Sequence, residues 1–142
     1  MLDLDTVAWE PGMVAVPRAP ADAIADVGAF CRGSDRWVVE GCYADLVTAA
    51  LEFQPLLLFL NPGEAQCLAN CRARPWEPHK YSSKSEQDRL LEYLLGWVSE
   101  YYTREGPMSL RAHRACFDAY QGPKIEFDAQ PELSPDLLAS LP

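Results

Sequence analysis

Residues 37–43 read WVVEGCY and residues 56–64 read LLLFLNPGE, and these two stretches decide the fold. Each is an apolar run that ends in polar residues and a glycine, a pattern typical of a strand followed by a turn. The run over 56–60 is so uniformly aliphatic that we expect a strand covered on both faces. Ligands of open α/β sheets bind beyond the carboxyl ends of the strands, so we expect a functional site there.

Helical and strand patterns alternate along the rest of the chain. We predict strands at 2–5, 37–40, 56–60 and 124–127, and helices at 22–31, 45–54, 63–74, 85–104 and 109–120. This alternation favours an α/β fold with a mostly parallel sheet and helices on both faces. We expect one domain over 1–129 and a loose C-terminal tail over 130–142.

The charge and hydropathy of the chain exclude several classes of function. A net charge of −9 has the wrong sign for a protein that binds nucleic-acid backbones. No apolar run approaches the length of a membrane span, so no membrane association is expected. The acidic start, with Asp3 and Asp5, lacks the basic and apolar regions of a signal peptide, and we expect a cytoplasmic location.

Positive charge is concentrated in one part of the sequence. Five of the twelve cations fall within eighteen residues: Arg72, Arg74, Lys80, Lys84 and Arg89. An acidic protein with one basic patch suits a small phosphorylated ligand, and the alternative is a solvated helix surface.

The carboxylates at the strand ends are the first candidates for chemistry. Glu40 could hold a magnesium ion through water or accept a substrate proton, and Gly41 would allow a ligand close to the backbone. The alternative is a strand end that simply meets solvent. Of the two carboxylates near the start, we favour Asp5 over Asp3 as a substrate contact.

Residues 72–80, RARPWEPHK, form the second candidate region. Arg72 and Arg74 offer the planar donors that match phosphate oxygens. Lys80 adds a cation, and two prolines stiffen the loop. The structural alternative is that Trp76 fills the core while its neighbours remain hydrated. We expect His79 to make a structural hydrogen bond.

The cysteines do not indicate a disulfide framework, because there are five of them in a cytoplasmic type of sequence. Four residues could supply zinc ligands: Cys67, Cys71, His113 and Cys116. Neither pair has the tight CxxC spacing of a structural site, and we expect no zinc.

One glycine-rich segment is a misleading match. Residues 28–35, GAFCRGSD, have the glycine spacing of GxxxxGK[ST] but end in Ser-Asp and contain no lysine. A phosphate loop follows a strand and opens a helix, whereas this segment ends a predicted helix.

Several motifs together resemble one family. Leu4-Asp5 with Trp9, the WVVEGCY stretch, Leu58-Phe59-Leu60-Asn61-Pro62 and an Arg-x-Arg helix end are similar to the P-loop small-molecule kinases. These are kinases of the adenylate-kinase and shikimate-kinase type, and the chain is most similar to bacterial proteins grouped with shikimate kinases and DNA-topology-modulation kinases. The resemblance covers about residues 2 to 127.

The resemblance implies specific roles. Asp5, Gly41, Tyr43 and Lys80 would bind the acceptor substrate, and Glu40 would lie near magnesium. Arg72 and Arg74 would form a catalytic lid over the phosphates of ATP, with Arg111 or Arg114 as a further lid cation.

This sequence departs from the family pattern at its start. Family members carry a first strand and a phosphate loop before the Leu-Asp strand, and that first strand lies between the third and fourth in the sheet. The resemblance therefore implies an N-terminally truncated kinase-like domain, or a relative that has lost ATP turnover. The alternative is a non-catalytic module that binds an anion or a protein, with dimerisation through unpaired sheet edges.

Overall fold

The computed structural model describes residues 1–11, 16–78 and 81–131. The described chain divides into two compact units. Among the described residues, the first unit comprises 1–57 and 105–125, and the second comprises 58–104 and 126–131. The expected single domain over 1–129 stays a prediction.

Helices and short strands alternate broadly as the sequence predicts, except that Asp5, expected in the first strand, begins a helix that was not predicted. The strands are β1 (Leu2–Asp3), β2 (Val39–Glu40), β3 (Leu57–Leu60) and β4 (Lys124–Phe127). The helices are α1 (Asp5–Ala8), α2 (Pro20–Arg32), α3 (Ala44–Leu51), α4 (Glu64–Ala73), α5 (Lys84–Ser99) and α6 (Leu110–Ala119), and a short 3-10 turn (Glu100–Tyr102) follows α5. The α/β class is confirmed.

The strands form two sheets of two strands each within the described residues. β1 pairs with β2 in parallel, with Leu2 opposite Val39 and Asp3 opposite Glu40. In the β3–β4 pair, Leu57 N–H donates to Pro123 O and Asn61 N–H donates to Phe127 O. Both strands of that pair advance together, so this pair is parallel as well.

The expectation of one larger sheet is therefore met only in part. Parallel pairing is present, but β2 and β3 belong to different sheets. The expectation that 56–60 is covered on both faces is wrong, because Leu58 and Leu60 are 44% and 59% exposed. Successive side chains of a strand point to opposite faces, and a run of leucines does not distinguish a one-sided strand from a two-sided one.

The core of the first unit lies between its helices. Leu4 and Val27 are fully buried, and they pack with Cys31, Tyr43 and Leu46. The inward residues of α2 recur at intervals of four, as an amphipathic helix requires. This core holds the end of β1 against the segment that follows β2.

The second unit is thinly packed. Its helices α4 and α5 contact each other, and Leu95 is the one side chain of its described part that is buried among apolar groups. Tyr102 O–H donates to Asn61 Oδ1 at 3.1 Å, which ties the turn after α5 to the end of β3.

Helix ends depend on capping side chains that the sequence analysis placed only in part. Ser109 caps α6 as predicted, since its Oγ accepts from Ala112 N–H at 3.1 Å. Helix α5 begins one residue before the predicted Ser85, because Ser83 Oγ accepts from Glu86 N–H. Asp22 does not cap α2, which begins at Pro20. Proline is favoured in the first turn because its missing N–H has no helical partner there.

Two further predictions concern the membrane and the tail. Among the helices that the structure describes, none combines the length and apolar character needed to cross a bilayer. The predicted tail over 130–142 lies outside the described residues from 132 onward.

Candidate site at the carboxyl ends of β1 and β2

Carboxylates from two strands meet at one end of the first sheet. Asp3 is the last residue of β1, Glu40 is the last residue of β2, and the two are register partners. The ladder continues past the strands, because Leu4 N–H donates to Glu40 O at 2.9 Å. Since both strands run the same way, their carboxyl ends share this edge, and the side chains that follow them are brought together.

A chain of hydrogen bonds connects the residues after the two strands. Trp9 Nε1–H donates to Tyr43 Oη at 2.8 Å, and Tyr43 O–H donates to Asp5 Oδ1 at 2.7 Å. The Trp9 and Tyr43 rings also meet edge to face, with centroids 6.3 Å apart. Asp5 itself is exposed, so its carboxylate faces solvent while being held from the buried side.

Tyr43 occupies an unusual environment for a phenol. It is 8% exposed, and it belongs to the core cluster. Burial, followed by the hydrogen bond and charge of Asp5, raises the pKa of Tyr43 well above its ordinary value. The hydroxyl therefore stays protonated and acts as a donor to Asp5 at physiological pH.

Both the backbone conformation at position 41 and the lack of room for a side chain there require glycine. Its φ of +150° disfavours side chains, and a Cβ at this position would lie 2.7 Å from Leu4 Cβ. The glycine thus lets the chain turn from β2 towards Tyr43 over a fully buried leucine. Sequence analysis assigned Gly41 to close approach of a ligand, and the contact that the structure shows is to Leu4.

The expected acceptor residues of the first unit are therefore neighbours. Asp5 and Tyr43 are hydrogen-bonded, and Gly41 follows Glu40 at the same sheet edge. Trp9, which the sequence analysis used only as part of a motif, adds a donor to the group. No pattern in the sequence reveals this hydrogen bond, because it joins residues 34 positions apart.

Arg72 and Arg74 belong to the second unit, whereas the further lid cations considered, Arg111 and Arg114, lie on α6 in the first unit. Arg72 lies exposed in the last turn of α4, and the Arg74 guanidinium lies 2.8 Å from Glu77 Oε2. Arg74 is thus already neutralised by a carboxylate three residues away. Lys80 and His79 lie outside the described residues.

The loop after α4 is held by Gln87, a residue that the sequence analysis missed. Gln87 Oε1 accepts from Glu77 N–H at 2.9 Å, and its Nε2 donates to Pro75 O at 3.0 Å. A cavity of about 20 Å³ lies beside this loop and is lined in part by Arg74, Glu77 and Leu91. That is room for about one water molecule. Trp76 is 48% exposed, so the structural alternative in which it fills the core is wrong.

The four residues considered as zinc ligands have other surroundings. His113 Nε2 lies 2.8 Å from Cys42 O, and Cys116 Sγ lies 3.5 Å from Thr48 Oγ1. Cys67 and Cys71 lie one turn apart on α4. Across 1–11, 16–78 and 81–131, no group of three or more His, Cys, Asp or Glu side chains is arranged to hold a metal ion.

Comparison with protein-family models, with curated proteins and with solved structures finds no match to this sequence or fold.

Proposed function

We propose that this chain is an α/β domain of the P-loop small-molecule kinase type, and that the carboxyl ends of β1 and β2 form its acceptor-binding side. The observation that carries the proposal is the hydrogen-bonded chain from Trp9 through Tyr43 to Asp5. It joins the two separate segments, Leu-Asp-x-x-x-Trp and Trp-Val-Val-Glu-Gly-x-Tyr, on which the resemblance to that family depends.

The strand pairing also supports this proposal. In the family sheet the first strand lies between the third and the fourth. The strands of this chain would correspond to the second to the fifth, which leaves the second paired with the third and the fourth paired with the fifth. The two observed parallel pairs, β1–β2 and β3–β4, have that connectivity.

The proposed chemistry at the acceptor side follows from the carboxylates. Tyr43 donates to one oxygen of Asp5 and so orients the carboxylate, whose other oxygen would accept a hydrogen bond from an acceptor hydroxyl. Glu40, at the end of β2, would bind magnesium through water. The ligands proposed are a small hydroxylated or nucleotide acceptor and Mg-ATP, and the proposed location is the cytoplasm.

We propose that these 142 residues bind the acceptor and Mg-ATP but do not catalyse phosphoryl transfer. They contain no GxxxxGK[ST] segment, the backbone cradle that holds the phosphates in P-loop kinases. Arg72 and Arg74 would supply the lid, and Arg74 would then exchange Glu77 for a phosphate oxygen.

Calorimetric titration of the intact chain with Mg-ATP tests the nucleotide half of the proposal. We expect measurable binding that Arg74→Ala weakens by about tenfold, the loss of one charge-assisted contact. Arg36→Ala is the matched control, because Arg36 is also an exposed arginine but lies outside the basic stretch 72–89 of the sequence. Equal affinity in wild type and Arg74→Ala would remove the lid assignment.

A second candidate function is a non-catalytic regulatory module that binds a protein or an anion. The pairing of Arg74 with Glu77 favours it, since this arginine is not held ready for a phosphate. A folded wild-type chain that binds no Mg-ATP would favour this second function over the first.

A further inference from the structure

We propose that β3 pairs with β3 of a second copy of this chain, in antiparallel orientation, to form a dimer with a continuous four-stranded sheet. It uses the edge of β3 on which the proposed kinase-type sheet would carry its first strand, and it is tested without nucleotide. It rests on which backbone groups and side chains of β3 are left uncovered.

The outward backbone groups of β3 follow from its bonds to β4. Leu57 and Asn61 direct their N–H groups to β4, and in a parallel ladder alternate residues point to opposite edges. The N–H and C=O groups of Leu58 and Leu60 therefore point to the other edge. Within the described residues β3 has no partner strand on that edge.

The side chains at this edge are apolar and exposed. Leu58 and Leu60 are 44% and 59% exposed, and both lie on one face of the strand. Proteins usually protect a free edge with a lysine, a proline or a bulge, because unpaired edges recruit other strands. Residues 56–60, LLLFL, contain none of these devices.

The identity of the partner follows from symmetry. If a two-fold axis passes beside Phe59, Leu58 of one copy lies opposite Leu60 of the other, and both pairs exchange two backbone hydrogen bonds. The four outward groups are then satisfied, and each exposed leucine packs against a leucine across the strands. The contact uses the same surface on both copies, so it closes as a dimer and does not propagate.

Sedimentation velocity over a dilution series tests the proposal. We expect a dimer of twice 15.8 kDa that dissociates on dilution. Leu60→Pro removes an outward N–H without removing a bond to β4, and we expect it to raise the dimer Kd by at least about tenfold. Tyr93→Lys is the matched control, because Tyr93 is 76% exposed and belongs to α5, not to β3; the dimer Kd of this variant should be unchanged.

A second measurement covers the case in which Leu60→Pro fails to fold. Phe59 would face Phe59 of the second copy as a non-hydrogen-bonded pair, close enough for a disulfide. We expect Phe59→Cys to form a cross-linked dimer on mild oxidation, with the 59–59 bond found by peptide mass spectrometry. A wild-type chain that stays monomeric at all concentrations would overturn the proposal, as would a dimer in which residue 59 does not cross-link.

Discussion

The hydroxyl of Tyr43 donates a 2.7 Å hydrogen bond to Oδ1 of Asp5, although the two residues lie 38 positions apart. The bond connects the segment after β1 to the segment after β2, and Trp9 donates to the same hydroxyl from the other side. The first three predictions concern this group and the glycine that shapes its approach.

Removing the Tyr43 hydroxyl should destabilise the first unit. Tyr43→Phe leaves the Trp9 indole N–H without its acceptor, and we expect the free energy of unfolding to fall by about 1–3 kcal/mol. Urea denaturation followed by circular dichroism measures this change. Tyr93→Phe, at a 76% exposed position, should change stability by less than about 0.5 kcal/mol. Equal unfolding midpoints for wild type and Tyr43→Phe would contradict the hydrogen-bonded chain.

The same residue should make stability depend on alkaline pH. Burial, and then Asp5, raises the pKa of Tyr43 in the folded protein above the ordinary value of about 10. The folded state therefore holds its proton where the unfolded state loses it, so this contribution is complete below about pH 10 and declines as pH rises further. We expect a loss of up to about 1.4 kcal/mol per pH unit from this group.

Comparing wild type with Tyr43→Phe isolates that contribution. Burial also raises the pKa of Tyr102 and Tyr120, but both are present in the two proteins and cancel in the difference. Urea denaturation at several pH values between about 8 and about 11 gives, for each protein, the slope of the unfolding free energy against pH. Parallel slopes above about pH 10 would show that Tyr43 titrates normally.

Replacing Gly41 should be costly for two separable reasons. Gly41→Ala places a Cβ 2.7 Å from Leu4 Cβ and forces a side chain into φ +150°. We expect a loss of about 2–4 kcal/mol in unfolding free energy. Gly63 also has a positive φ, of +88°, but open space surrounds the position that a Cβ would take. Gly63→Ala should therefore lower the unfolding free energy by only about 1 kcal/mol, the cost of the backbone conformation alone. Similar losses for both variants would show that the Leu4 contact contributes nothing.

The buried cap of α6 should contribute more than the exposed cap of α5. Ser109 is 1% exposed, accepts from Ala112 N–H and donates to Gly106 O at 2.7 Å. We expect Ser109→Ala to lower the free energy of unfolding by about 2 kcal/mol in thermal and urea denaturation, because the buried hydroxyl of Ser109 also donates to Gly106 O. Ser83→Ala, at an exposed cap with a comparable bond to Glu86 N–H, should cost about 1 kcal/mol or less. A larger loss at Ser83 than at Ser109 would contradict this ranking.

Local sequence signals predicted most elements of this fold. The aliphatic run at 56–60 became β3, and the Ser109 signal became the cap of α6. Each depends on interactions within a few residues, which the order of side chains specifies directly. The start of α2 was misplaced because Asp22 and Pro20 are both favourable in a first turn, and only the surrounding contacts choose between them.

The sequence by itself determined the α/β class, the parallel direction of the strands and the polar residues that end them, because hydropathy period and turn chemistry are local properties. Tertiary structure alone decided that Tyr43 bonds Asp5 and that Gln87 holds the loop after α4. It also decided that β2 and β3 belong to separate sheets. These outcomes depend on distances between residues or strands that come together only when the chain folds, and no spacing along the chain encodes them.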